Sequence, residues 1–196
     1  MFDIWIRAIT QPRLTTYQGF LEEEPNPTFG KAAGWIALAG LIAGFITSVL
    51  YLILGSGWGL TNLICGLIAA PIGAVIGFVI YSAILLAAAR LLGGEGTFDR
   101  QSYVLAAASA PMSIVSAIVT LLPWVGAVLG LLASLYYLWL AILGLQAAHG
   151  YTAGRAFVTI LAPLILLVVV ACCIIGLLML MGPAVGNVFS TMMLEI

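Results

Sequence analysis

Few residues in this 196-residue chain are of types that do chemistry, and their spacing decides what each can be. His149 is the single histidine. It has no Ser, Cys or carboxylate close by in sequence with which to build a nucleophilic triad, and no second His or nearby Cys to make a metal site. It reads as a loop histidine. The cysteines Cys65, Cys172 and Cys173 all lie in apolar runs. Adjacent residues such as Cys172 and Cys173 leave a helix on different faces and do not readily bond to each other, so all three read as small packing residues. Glu22-Glu23-Glu24 could attract a divalent cation, but successive side chains diverge and no further ligands accompany them. With Pro25-Asn26-Pro27 behind it, the run reads as a solvated hinge. The glycine-rich stretch Gly93-Gly94-Glu95-Gly96-Thr97 lacks the Gly-Lys-Ser/Thr of a phosphate loop and follows no strand, so it reads as a turn. No catalytic residue, metal site or cofactor is expected.

Composition explains the scarcity. The chain is 64% hydrophobic and 7% charged, with a mean hydropathy of +1.23. A soluble domain carries about 25% charged residues, so the solvent around this chain must be largely lipid. Six Lys and Arg against seven Asp and Glu leave no basic surface for a phosphate backbone, which argues against nucleic-acid binding. No ionisable residue falls near the centre of an expected helix. Arg90, His149 and Arg155 stand at helix ends, where long side chains reach the interface. That placement counts against proton-coupled transport and hydrolysis, and leaves a neutral pathway open. Asp3, Arg7 and Pro12 interrupt the apolar stretch a secretory signal would need, so the first membrane helix is expected to direct insertion.

Uncharged stretches at 32–89, 101–148 and 156–194 set the elements. A crossing needs about 20 apolar residues. The first stretch divides at residues 55–59 into helices over 33–54 and 62–92, and Pro71 is expected to separate a leading segment from the body of the second. The next divides at Leu122-Pro123-Trp124 into helices over 103–122 and 124–147. A fifth helix is expected to stop near Met181, at Gly182-Pro183. Beyond it, Val185, Val188, Phe189, Met192, Met193 and Ile196 follow helical spacing and suggest a short helix along the membrane face. The fold class is all-α: a polytopic membrane bundle of five transmembrane helices with an N-terminal interfacial amphipathic helix. The expected division is 1–30, a cytoplasmic amphipathic segment and hinge; 31–183, the five-helix domain; and 184–196, a short extracytoplasmic amphipathic tail.

With five crossings, Arg7, Arg13, Lys31, Arg90, Arg100 and Arg155 all fall on one side, which the positive-inside rule makes cytoplasmic. The N-terminus is then inside and the C-terminus outside. Phe2, Trp5, Ile6 and Ile9 form an apolar helical stripe suited to the leaflet surface or to the bundle, with partner docking as the alternative. Thr28, Thr97 and Thr152 each precede an outward-going helix, with Lys31, Arg100 and Arg155 three residues later. The threonine can cap the helix. The basic residue opposes the helix dipole unless lipid phosphate favours it. Trp5, Arg7, Lys31, Arg100 and Arg155 are therefore candidate interfacial lipid contacts.

Small residues recur within the helices. Gly40 and Gly44, Gly73 and Gly77, and Gly126 and Gly130 (extended by Ser134) are GxxxG pairs suited to close helix approach. Ser109, Ser113, Ser116 and Thr120 share one face at steps of four, three and four. Two readings stand: a helix-contact stripe, or a polar groove for a lipid headgroup or small solute. Tyr51, Tyr81, Tyr136 and Tyr137 would join the groove if they face inward.

Taken together, Trp5…Ile9…Pro12, Pro27-Thr28-Phe29, Gly94…Tyr103…Ala110-Pro111 and Trp139…Gly144…His149-Gly150 resemble the Yip1 domain family of small membrane proteins. The resemblance extends over nearly the whole chain and implies five membrane helices, a cytoplasmic N-terminus and no catalytic residues. Eukaryotic members are linked to Rab-type GTPases and vesicle traffic. This chain lacks the Asp-Leu-Tyr-Gly-Pro stretch before the first helix and looks more like the prokaryotic members. GTPase binding is therefore not carried over, and plasma membrane is the implied location. The expected function is a non-enzymatic membrane organiser or adaptor, from the close-packing helices and the lack of reactive groups. The alternative is a lipid- or solute-handling transporter or scramblase-like protein, from Pro71, Pro111, Pro163 and the hydroxyl stripe. Expected partners are membrane lipids and either a second copy or another membrane protein.

Overall fold

In lipid, a helix satisfies every backbone N–H and C=O within one segment, so long uncharged apolar stretches have little alternative to it. The computed structural model describes the backbone of residues 1–53, 59–122 and 125–194, and their side chains except at 59, 60, 62, 65, 180 and 182–194. The expected breaks at 55–58 and 123–124 and the Cys65 side chain lie outside the described residues.

Seven helices follow in order: α1 Phe2–Thr10, α2 Leu14–Glu23, α3 Phe29–Ile53, α4 Gly59–Leu91, α5 Phe98–Val119, α6 Val125–His149 and α7 Ala153–Leu194. Five of them, α3 to α7, contain stretches long and apolar enough to cross a membrane. Two expected interruptions are absent. Helix α4 continues through Pro71, and α7 continues through Gly182-Pro183 to Leu194. Residues 184–194 are thus an extension of the last helix and not a separate segment. A proline removes one backbone bond, whereas unwinding a turn in apolar surroundings would strand several groups.

Residues Met1–Ile160 form one compact unit and Leu161–Ile196 another. Helix α5 is the centre of the first. It packs against α3, α6, α1, α2 and α4. Every residue from Gln101 to Ala108 is buried, as are Ala110, Pro111 and Met112. Crossing so many neighbours requires small side chains, and Ala106, Ala107, Ala108 and Ala110 supply them. The α3–α4 contact depends on glycine. A Cβ on Gly44 would lie 2.6 Å from both the Ala70 Cβ and the Gly66 carbonyl oxygen, and one on Gly40 2.9 Å from the Ala74 Cβ. The other expected pairs differ. A Cβ on Gly126 would lie 2.5 Å from the Val119 carbonyl oxygen, whereas Gly73, Gly77 and Gly130 would meet nothing within 4 Å.

The N-terminal 30 residues belong to this same unit, and they hold one helix more than the sequence suggests. Helix α1 buries Trp5 and Ala8, while Phe2 and Ile6 stay 60% and 62% exposed. Trp5 is therefore a bundle contact and not an interfacial one. Helix α2 buries Tyr17, Phe20 and Leu21, and the Tyr17 hydroxyl donates to the Ala8 carbonyl at 3.3 Å. Burial pushes the Tyr17 phenol pKa up. The Tyr136 hydroxyl, from α6, donates to the Ile9 carbonyl. Arg7 makes two 2.7 Å bonds to the Glu23 carboxylate, lies 2.9 Å from Asp3 and sits over the Phe20 ring. Lys31 pairs with Glu24 at 2.5 Å. The expected solvated hinge is in fact a clasp, because two of its three carboxylates find cations.

Two outcomes follow from these contacts. Gly44→Ala should lower thermal stability in detergent by about 1–3 kcal/mol through overpacking, whereas Gly73→Ala should be nearly neutral. The Arg7 hydrogen bonds hold the Glu23 carboxyl below its usual range, so the clasp is intact above that range and is lost as pH falls through the lowered value. Amide exchange in α1 should accelerate below about pH 4. Glu23→Gln should abolish that pH dependence.

Candidate functional site

The hydroxyl stripe of α5 lies where the bundle opens. Between α3, α4 and α5 is a cleft of about 680 Å³, lined by small residues such as Gly40 and Ala70 together with Thr47, Ser109 and Ser113. A second cleft, of about 420 Å³ between α3 and α5, takes in Tyr51, Ser113, Ser116 and Thr120. A third, of about 270 Å³ between α5 and α6, is lined by Ser109, Ser113, Ser116, Ser134 and Tyr137. The four stripe residues thus come together along connected openings. Ser113, Ser116 and Thr120 are exposed.

Their hydrogen bonds fit the same picture. Ser113 donates to the Ala110 carbonyl and Thr120 to the Ala117 carbonyl, both at 2.7 Å and both within α5. A hydroxyl bonded to its own helix holds no neighbouring helix. The Ser109 Oγ is buried without a partner. Of the four tyrosines, Tyr51 and Tyr137 line clefts, Tyr136 is taken up by α1, and Tyr81 packs against the core. No carboxylate, imidazole, thiol or basic group lines the described wall of the cleft between α3, α4 and α5.

His149 sits apart from the clefts, at the end of the bundle that carries Lys31, Arg90, Arg100 and Arg155. It is buried and not in a loop. Its Nδ1 accepts from the Gly96 backbone N–H at 3.0 Å, and its Nε2 lies 2.8 Å from the Gln101 Oε1. Gln101 in turn donates through Nε2 to the Ser82 carbonyl at 2.7 Å. A ring accepting at Nδ1 must donate at Nε2, which makes it the neutral Nε2–H tautomer. The ring also stacks on Tyr151 with centroids 5.2 Å apart. Gly93 and Gly150, at φ +80° and +70°, end α4 and α6 in the left-handed region. These turns bring Gly96 to His149. The network locks the α4–α5 turn onto the ends of α5 and α6. Gln101 and Ser82 escaped the sequence reading, although Gln101 is one of two glutamines in the second uncharged stretch.

The candidate lipid contacts separate into two groups. Arg7 and Lys31 are spent on Asp3, Glu23 and Glu24, and Trp5 is buried. Arg100 and Arg155 are exposed. Of the three expected threonine caps, Thr97 accepts from the Arg100 N–H at 3.3 Å. The start of α3 is served instead by Asp99, which accepts from the Phe29 N–H at 2.6 Å. Cys172 and Cys173 are free thiols in α7. Among the described residues, no three of His, Cys, Asp and Glu converge on a metal position.

Five apolar helices of crossing length, with a lateral hydroxyl-lined cleft between α3, α4 and α5, define a multi-pass helical membrane protein. The chain belongs to the Yip1 family: the Yip1 domain matches residues 6–188. Comparison with curated proteins and with solved structures gave no match.

The buried network carries its own test. Gln101→Leu leaves the His149 Nε2–H without its partner, while the Ser82 carbonyl keeps its bond within α4, so stability should fall by about 1–3 kcal/mol. Thermal unfolding in detergent measures this, with Ser113→Ala, in the open cleft, as the near-neutral control.

Proposed function

We propose that this protein is a non-enzymatic organiser of its membrane, which works by holding a lipid acyl chain in the cleft between α3, α4 and α5. The cleft itself supports this reading. From Ile36 to Tyr51 it follows α3 for about 22 Å, within the crossing segment. A second helix over that length, about 10 Å wide, would fill roughly 1,700 Å³. The cleft offers about 680 Å³, which suits an extended chain one methylene thick. The lining is apolar enough for such a chain, and Thr47, Tyr51 and Thr120 offer hydroxyls where α3 and α5 end. On this reading the protein stands between the organiser and lipid-handling classes.

An adaptor role is the second reading. It draws on Phe2 and Ile6, an exposed apolar pair on α1 beside the buried Trp5, which offers a face for another membrane protein or a second copy. The proposed setting is the plasma membrane, with the basic end cytoplasmic and the C-terminus outside, from the distribution of Lys and Arg.

Native mass spectrometry of protein extracted in polymer nanodiscs tests both. A lipid retained at fixed stoichiometry is expected, and Ser113→Leu with Ser116→Leu should fold normally yet lose it, since both side chains occupy open cleft. Unchanged lipid retention in that variant would remove the cleft from the proposal. A stoichiometric protein neighbour without lipid would transfer the case to the adaptor.

A further inference from the structure

The chain's basic residues are divided by their partners. Arg7 and Lys31 are ion-paired. Arg13, Arg90, Arg100 and Arg155 are exposed, and none has an ion pair among the described residues. Three of these four converge. Arg90 is in the last turn of α4, and its carbonyl accepts from the Gly93 N–H at 3.1 Å. The Arg155 guanidinium lies against Gly93, 3.8 Å from where a Cβ would stand. Arg100, in the first turn of α5, flanks the same turn from its other side.

We infer that Arg90, Arg100 and Arg155 form a binding site for the phosphate of an anionic lipid headgroup, at the basic end of the bundle beside the α4–α5 turn.

Electrostatics require a counter-charge there. Arg100 and Arg155 each occupy the first turn of a long helix, where the dipole already presents positive charge. Asp99, in the first turn of α5, and Glu95, in the turn, offset part of this and leave the three arginines in excess. Glu95 is exposed in the turn but makes no ion pair, and Asp99 is engaged by the Phe29 N–H. An anion would meet three guanidinium groups, two of them at the positive ends of helices. Position identifies its source. The three arginines stand within three residues of the ends of apolar spans at Leu91, Phe98 and Ala153, the depth of lipid headgroups. The site is independent of the cleft and would stand if the cleft were empty.

The test uses the full chain in nanodiscs of phosphatidylcholine containing a fifth phosphatidylglycerol, with retained lipid read by native mass spectrometry. Phosphatidylglycerol should be retained over phosphatidylcholine. Each of Arg90→Gln, Arg100→Gln and Arg155→Gln should weaken its retention about fivefold, and Arg13→Gln less than twofold. Unchanged melting temperatures would show that the variants are folded, and the single variants carry the test if the triple variant unfolds. An Arg13→Gln loss equal to the others would overturn the site in favour of diffuse attraction. Displacement of the lipid by millimolar inorganic phosphate would overturn the lipid assignment and give the site to a soluble anion. Equal retention of both lipids would refute it altogether.

Discussion

One helix with neighbours on most sides sets the terms for the first 160 residues. Helix α5 meets α1, α2, α3, α4 and α6, and its first half is buried almost without interruption. In lipid there is no hydrophobic gain from bringing apolar helices together, so close van der Waals packing must supply the attraction. Small side chains permit that approach. The alanines of α5 do so at its start, and the glycines of α3 and α4 do so beside it. Where α5 turns from alanine to serine and threonine, the packing opens and the clefts begin. Core and candidate site are thus two halves of one helix.

The polar groups follow a similar division. At the basic end, the few polar side chains are used on one another: Arg7 with Glu23 and Asp3, Lys31 with Glu24, His149 with Gln101 and Gly96, and Asp99 with the start of α3. A buried polar group must find such a partner or cost stability. Of the charges left over, three arginines stand around the α4–α5 turn, with Glu95 and Asp99 beside them. In the clefts, by contrast, hydroxyls are bonded to their own helix. They soften an apolar wall without demanding a partner.

The Yip1 membership and the membrane architecture agree with this division. The N-terminal helices give the bundle a second layer: α1 lies on α5 and α2 on α6, tied to the bundle by Tyr136 and to each other by Tyr17 and Arg7. They convert a segment that might have lain on the leaflet into part of the core. Only the outer pair Phe2 and Ile6 keeps the character of an interfacial helix.

Sequence alone determined what depends on composition and period. The number of spans, the sidedness of the basic residues and the α1 stripe are all local properties, since helix-forming stretches in lipid need no partner to be recognised. Thr97 as a cap and Gly44 as a contact were legible for the same reason. Tertiary structure decided which stripe faces what. Gly40 and Gly73 belong to similar GxxxG pairs, yet one meets α4 and the other nothing. The stripe of Leu14, Tyr17 and Leu21 was present in the sequence, but acidic and proline residues behind it masked α2. His149 looked isolated because Gly96 and Gln101 lie 53 and 48 residues away. Arg7 and Arg155 were equivalent on paper until carboxylates claimed the first alone. Pairing across such separations is fixed by how helices stack, and spacing along one chain carries no record of it.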